Sequence, residues 1–218
     1  MFGGPLIRAI TAIADNDLLG AFGWIVVLAL LLLIAFPVHE MAHALVAKWL
    51  GDDTGEREGR ITLNPIAHLD PIGAILFALF GFGWAKPVPV NLRYLNGNPR
   101  TSFAIVALAG PVSNILLAAL FAIIFRVVLP IGASETVLNT LVAAVSLNIF
   151  LALFNLIPVP PLDGSRILAA ALPDSAQGIL DQLSRYGFLI VLALSYTGLF
   201  SLLIGQPTNQ LTRAFIGL

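Results

Sequence analysis

The chain has 218 residues, of which 58% are hydrophobic and 11% charged, with a net charge of −1 and no cysteine. Soluble domains carry roughly 25% charged residues, so this composition excludes an ordinary soluble globule and points to an all-α polytopic integral membrane protein. The near-neutral balance gives no reason to expect nucleic acid as a partner. Without cysteine there are no disulfides or thiolate ligands, which leaves His, Asp and Glu for any metal.

A spanning helix needs about 20 apolar residues, and four stretches reach that length. The first, Leu18–Leu50, is about 33 residues or roughly 50 Å of helix, too long for a simple crossing. Pro37 removes a hydrogen bond to the carbonyl of Leu33, which predicts a bend there. The N-terminus lacks a convincing cleavable signal, since removing the first strongly apolar run would remove the motif described below. Gly51–Asp70 is polar and mixed in charge. Pro71–Trp84 is apolar but only about 14 residues long, which predicts a re-entrant or β-hairpin-like segment rather than a crossing. The remaining spans are expected at Thr101–Leu129, Glu135–Leu156 and Arg185–Ile204. No internal repeat is evident. The expectation is therefore one membrane-embedded domain over residues 1–218, with a core at about 23–172 and an additional C-terminal span at about 185–204.

Orientation follows from Lys and Arg. With Leu50 placed in the cytoplasm, Lys48, Arg57, Arg60, Lys86, Arg93, Arg100, Arg166 and Arg185 share that side, and Arg8, Arg126 and Arg213 lie opposite, accounting for all 11. The N-terminus is then outside.

Within the first stretch lies His39-Glu40-Met41-Ala42-His43. Histidines four apart share one helical face and can bind a single zinc, while the glutamate after the first can act as general base toward water. An ionisable triplet inside an apolar span carries a large insertion cost, which argues against an idle role. By helix rise, His39 sits roughly 18 Å from Gly51, within the membrane and nearer its cytoplasmic face. A catalytic zinc takes three protein ligands. The candidates for the third are His68, Asp70 and Asp163. Asp163 follows Pro158, Pro160 and Pro161, which break the helix, and by the orientation above it lies on the same side as His43. From spacing alone, Asp163 could equally cap the helix after it.

The chain HEMAH, then RITLNPIAHLDPIG, GFGWAKPVPVN, LAGPVSNILLA and finally NLIPVPPLDG, in this order over roughly Gly23–Leu172, resembles the site-2 proteases. These are intramembrane zinc metalloproteases, and the match is to the compact bacterial and archaeal type without PDZ or CBS domain. The resemblance implies one Zn2+ per chain held by His39, His43 and Asp163, with Glu40 as catalytic base. It also implies a transmembrane protein as substrate, the lipid bilayer as surroundings and a prokaryotic cell membrane as location. Asn114, in Gly110-Pro-Val-Ser-Asn114, would lie near the active site, with its amide available to an oxyanion or substrate backbone. Its alternative is helix packing.

Two Pro-Val-Pro segments favour extended backbone, so Val88 and Val159 are candidates for the border of a groove that holds an unwound substrate by strand addition. Rigid connectors are the alternative. A zinc transporter would also place histidines and carboxylates in helices, but it leaves Glu40 without a role. A non-catalytic membrane scaffold is the third possibility.

Overall fold

The computed structural model describes residues 4–81, 83–195 and 197–217. In chain order the helices are α1 (Pro5–Ala14), α2 (Leu18–Leu30), α3 (Phe36–Trp49), the single turn α4 (Thr54–Arg57), α5 (Pro71–Phe80), α6 (Pro99–Val128), α7 (Glu135–Asn155), α8 (Asp163–Ala171), α9 (Asp174–Ser195), the short α10 (Gly198–Phe200) and α11 (Gln206–Ile216). No strand occurs among the described residues. The nearest approach to the expected hairpin is one antiparallel bridge between Leu69 and Ala85.

Three helical stretches are long and apolar enough to cross a membrane: Leu18–Trp49, Pro99–Val128 and Glu135–Asn155. They coincide with the first three expected spans to within two residues. The fourth expected span divides. α9 begins earlier, at Asp174, and ends at Ser195, and the chain then continues through α10 and a π-turn at Ser201–Gly205. Tyr196, inside that expected span, lies outside the described residues.

In lipid there is little hydrophobic drive between helices, so close packing depends on small side chains. α6 supplies them, with Ala104, Ala107, Gly110, Ser113, Ala118 and Ala122 buried along its length. α3, α7 and α8 pack against it. One core cluster joins Ala118, Ala122 and Phe125 of α6 to Val145 and Ile149 of α7 and Ile216 of α11. A second joins Val27 and Leu31 to Ala35, Phe77 and Leu151.

The first span is interrupted just before Pro37. A π-turn at Leu31–Ala35 links α2 to α3, with the Phe36 N–H donating to the carbonyl of Leu31. Pro37 then falls in the first turn of α3, where a missing donor costs little.

α5 starts at the Asp70 cap, whose carboxylate accepts from the Gly73 N–H at 2.8 Å, and ends at Gly81 in the left-handed conformation. Its C-terminal end meets the start of α1, where the Gly4 N–H donates to the Leu79 carbonyl at 2.8 Å. After α5 the chain returns along the helix, so close that a Cβ on Gly73 would clash with the Trp84 carbonyl.

Two buried charges pin the following extended strap. Arg60, 3% exposed, donates to the carbonyls of Ala67 (2.7 Å), Lys86 (3.1 Å) and Pro87 (3.0 Å). Asp52, fully buried, accepts from the N–H and hydroxyl of Thr54 at 3.0 and 2.5 Å and from the Asn91 N–H at 2.6 Å. Asp52→Ala leaves these part-buried donors without their acceptor, at a cost of about 2 kcal/mol. Thermal unfolding of the detergent-solubilised variant should show a midpoint roughly 4–8 °C lower than wild type.

Candidate metal centre

α3 carries His39 and His43 on one face, 7% and 5% exposed, and Asp163 at the start of α8 comes alongside at 7%. Asp163 Oδ2 lies 3.3 Å from His39 Nε2 and 3.2 Å from His43 Nε2, and the two imidazole nitrogens are 3.1 Å apart. Asp163 makes no side-chain cap to α8, whose N-cap is Leu162, so the capping alternative is not realised. Among the described residues these three form a group whose donor atoms could hold one metal ion.

Hydrogen bonding behind the imidazoles decides what faces the centre. His43 Nδ1 lies 2.7 Å from the Val106 carbonyl, which can only accept, so the Nδ1–H donates and, in the neutral ring that binds metal, Nε2 keeps its lone pair. His39 Nδ1 lies 2.5 Å from Asn114 Oδ1, with the same consequence. Two bare imidazole nitrogens and a carboxylate oxygen then point at one another, and Asp163 Oδ2 is buried with no hydrogen-bond donor. Three acceptors converging without a proton repel one another unless a cation lies between them. The spacing also fits, because ligands about 2.0–2.1 Å from a tetrahedral metal lie roughly 3.3–3.4 Å apart.

The local sequence explains why the helices come this close. A Cβ at Gly110 would sit 2.5 Å from both Nε2 and Cε1 of His39 and would also clash with His43. Pro111 follows inside α6, lacking the N–H that would tie the helix to the Ala107 carbonyl. Gly164, next to Asp163, abuts the backbone of Leu156 and Ile157, which packs the start of α8 closely against the end of α7.

The centre opens on a cleft of about 690 Å³, whose walls include Phe36, Phe77, Trp84, Phe150, Phe154 and Val191, with Glu40, Asn155 and Arg166 as further polar members. Glu40 thus stands beside the two histidines on the open side. Val88 lines the cleft, whereas Val159 is not among its lining residues, although its neighbours Pro161 and Leu162 are. Asn114, fully buried, is on the far side of His39, with Oδ1 directed to that ring and Nδ2 donating to Asn148 Oδ1 at 3.2 Å. His68 stands apart from the cluster, buried with Nε2 2.8 Å from the Thr62 carbonyl, and Asp70 is engaged in capping α5. Asn148 and Asn155 received no role from sequence reasoning. Asn155 is the first residue of the NLIPVPPLDG stretch, but nothing in the sequence around Asn148 marks it.

The model of the peptidase family M50 matches residues 131–197, a stretch that includes Asp163. A Bacillus subtilis protein, YwhC, named "Putative zinc metalloprotease", is 44% identical over 190 residues, covering 84% of this chain and 85% of its own. This chain belongs to peptidase family M50, the site-2 proteases. Rip2 of Mycolicibacterium smegmatis, described in the same words, is 32% identical over 76% of this chain and 64% of its own. MJ0611 of Methanocaldococcus jannaschii, again so described, is 32% identical over 61% of this chain and 64% of its own. No solved structure matches the chain. Membership agrees with a metal-dependent protease built on membrane-crossing helices, the class to which the acceptor triangle points.

Gly110→Ala drives a methyl group into the two imidazoles. Metal analysis of the purified variant should show that bound metal falls by at least tenfold relative to wild type, with helix content by circular dichroism unchanged.

Proposed function

We propose that this site-2 protease homologue is an intramembrane zinc endopeptidase, hydrolysing a peptide bond in or near a transmembrane segment of another membrane protein. The observation that carries the reading is the triangle of His39 Nε2, His43 Nε2 and Asp163 Oδ2 beside Glu40, at the inner end of an apolar cleft. Its relatives' description as zinc metalloproteases supports zinc, one per chain, with His39, His43 and Asp163 as its ligands.

Zinc bound there supplies Lewis acidity and lowers the pKa of water toward about 7. Glu40 removes the proton from the attacking water and returns it to the leaving amine. The phenylalanine-rich walls receive apolar side chains of the substrate and keep bulk water away from the reacting carbonyl. The strap at Val88, tied down by Arg60 and Asp52, borders the groove in which an unwound segment lies, with Val159 just beyond the lining residues Pro161 and Leu162 on its other side.

The charge asymmetry places the Gly51–Arg100 region and the mouth of the cleft on the cytoplasmic side, with the N-terminus outside. On this reading α5 enters the membrane part-way and the chain returns at Trp84–Ala85, making Pro71–Trp84 re-entrant. The region from α9 to the π-turn at Ser201–Gly205 completes a single membrane-embedded domain as its fourth crossing.

Glu40→Gln keeps the ligands and removes the base. Cleavage of a membrane substrate, found by comparing fragments cut within spans in cells carrying wild type or the variant, should fall by roughly 10²–10⁴-fold, while zinc stays at one per chain. Normal cleavage by Glu40→Gln would overturn the mechanism. A photo-crosslinker at Val88 or Val159 should label bound substrate peptide; labelling at neither position would remove the groove assignment.

A further inference from the structure

We infer that Asn148 of α7 is a positioning residue for the metal centre: through Asn114 it fixes which nitrogen of His39 carries the proton and holds that ring toward the metal. This rests on the reading of His39 as a zinc ligand and extends it to a residue that touches neither metal nor substrate.

Three contacts run in series from α7 to α3. Asn148 Nδ2 donates to the Ala144 carbonyl at 2.9 Å. Asn148 Oδ1 accepts from Asn114 Nδ2 at 3.2 Å. Asn114 Oδ1 faces His39 Nδ1 at 2.5 Å. Both asparagines are buried, Asn114 at 0% and Asn148 at 2% exposed.

A primary amide has one accepting end and one donating end, so a chain of amides has a direction. Here the direction is set at the far end. A backbone carbonyl only accepts, so Asn148 must turn its NH2 to Ala144 and its oxygen to Asn114. Asn114 must then turn its NH2 to Asn148 and its oxygen to His39. The His39 ring answers with a proton on Nδ1, and Nε2 is left bare. Reversing the chain would bring two carbonyl oxygens, those of Asn148 and Ala144, within hydrogen-bond distance with no proton between them, an arrangement that a buried site penalises heavily.

His43 reaches the same state by a shorter route, its Nδ1 meeting the Val106 carbonyl directly. Each ligand ring is thus anchored on a main-chain carbonyl, one of α6 without intermediary and one of α7 through two side chains. Ordinary interhelical packing by asparagine requires neither this direction nor its end point at a ligand nitrogen.

The test uses the full chain in detergent, with zinc alone as probe, and measures affinity by competition with a chromophoric chelator. Asn148→Leu and Asn114→Leu should each weaken zinc binding 10–100-fold, the range for loss of a group orienting a ligand. Links in series lose their function once, so the double variant should bind no more than about twofold weaker than the weaker single variant. Ile149→Ala, which disturbs the α6–α7 core next to the relay without touching it, should lower the thermal midpoint and leave zinc affinity within about twofold of wild type. If Asn148→Leu does not fold, Asn148→Ser serves instead, since its hydroxyl can bond the preceding turn as Thr140 does but is too short for Asn114; the same 10–100-fold loss is expected. Unchanged zinc affinity in the Asn148 variant, losses that multiply in the double variant, or an equal loss in Ile149→Ala would each overturn the relay. A wild-type protein that takes up no stoichiometric zinc would instead overturn the metal reading on which it rests.

Discussion

The close approach of α6 to α3 at Gly110 is the constraint on which the rest of the molecule depends. Two imidazoles lie where residue 110 would carry a side chain, so the helix that supplies their hydrogen-bonding partners can press directly against the helix that carries them. Val106 and Asn114, one turn to either side of Gly110, reach His43 and His39 from that position. Any widening of this contact would cost the rings their anchors before it disturbed the outer packing, because the apolar contacts of α6 with α7 and α11 lie further along the helix.

The cleft combines two surfaces with opposite physical requirements. Its inner end gathers two imidazoles and a carboxylate that could hold a metal ion, and its walls are aromatic and aliphatic. Along its lining runs a strap, residues 87–90, that owes its position to a buried arginine and a buried aspartate rather than to a sheet. Arg60 meets carbonyl oxygens instead of a carboxylate, so its charge is spread over three main-chain dipoles from both ends of the Ala67–Pro87 segment. That arrangement ties the base of α5 to the strap.

Much of this was legible in the sequence. HEMAH put two histidines on one helical face, because spacing along a helix is a local property, and the apolar runs of the first three spans were long enough to be read without context. Asp163 stood out from His68 and Asp70 by its proline-broken surroundings and its side of the membrane, but capping remained an equal alternative until the family resemblance, since bringing α8 beside α3 is a matter of tertiary folding. Asn148 was invisible because one asparagine in an apolar helix has no pattern, and its meaning lies in a partner 34 residues away. Asn114 was noticed for the substrate side, yet its amide turns to the back of His39, a direction that depends on which face of α6 meets α3. The fourth span was drawn as one continuous helix because hydropathy averages over a window and does not see the interruption between α9 and α10.

The π-turn at Leu31–Ala35 has a consequence for how the first span is built. An α-helix advances about 100° per residue, so one extra residue in a turn rotates everything after it by about that amount. α2 packs against α7, while α3 packs against α6, and the rotation falls between them. A continuous α-helix would have to satisfy both neighbours with a single stripe. The inserted residue offsets the two halves by that rotation, so α2 can face α7 while α3 turns its histidines toward α6 within one continuous helical stretch.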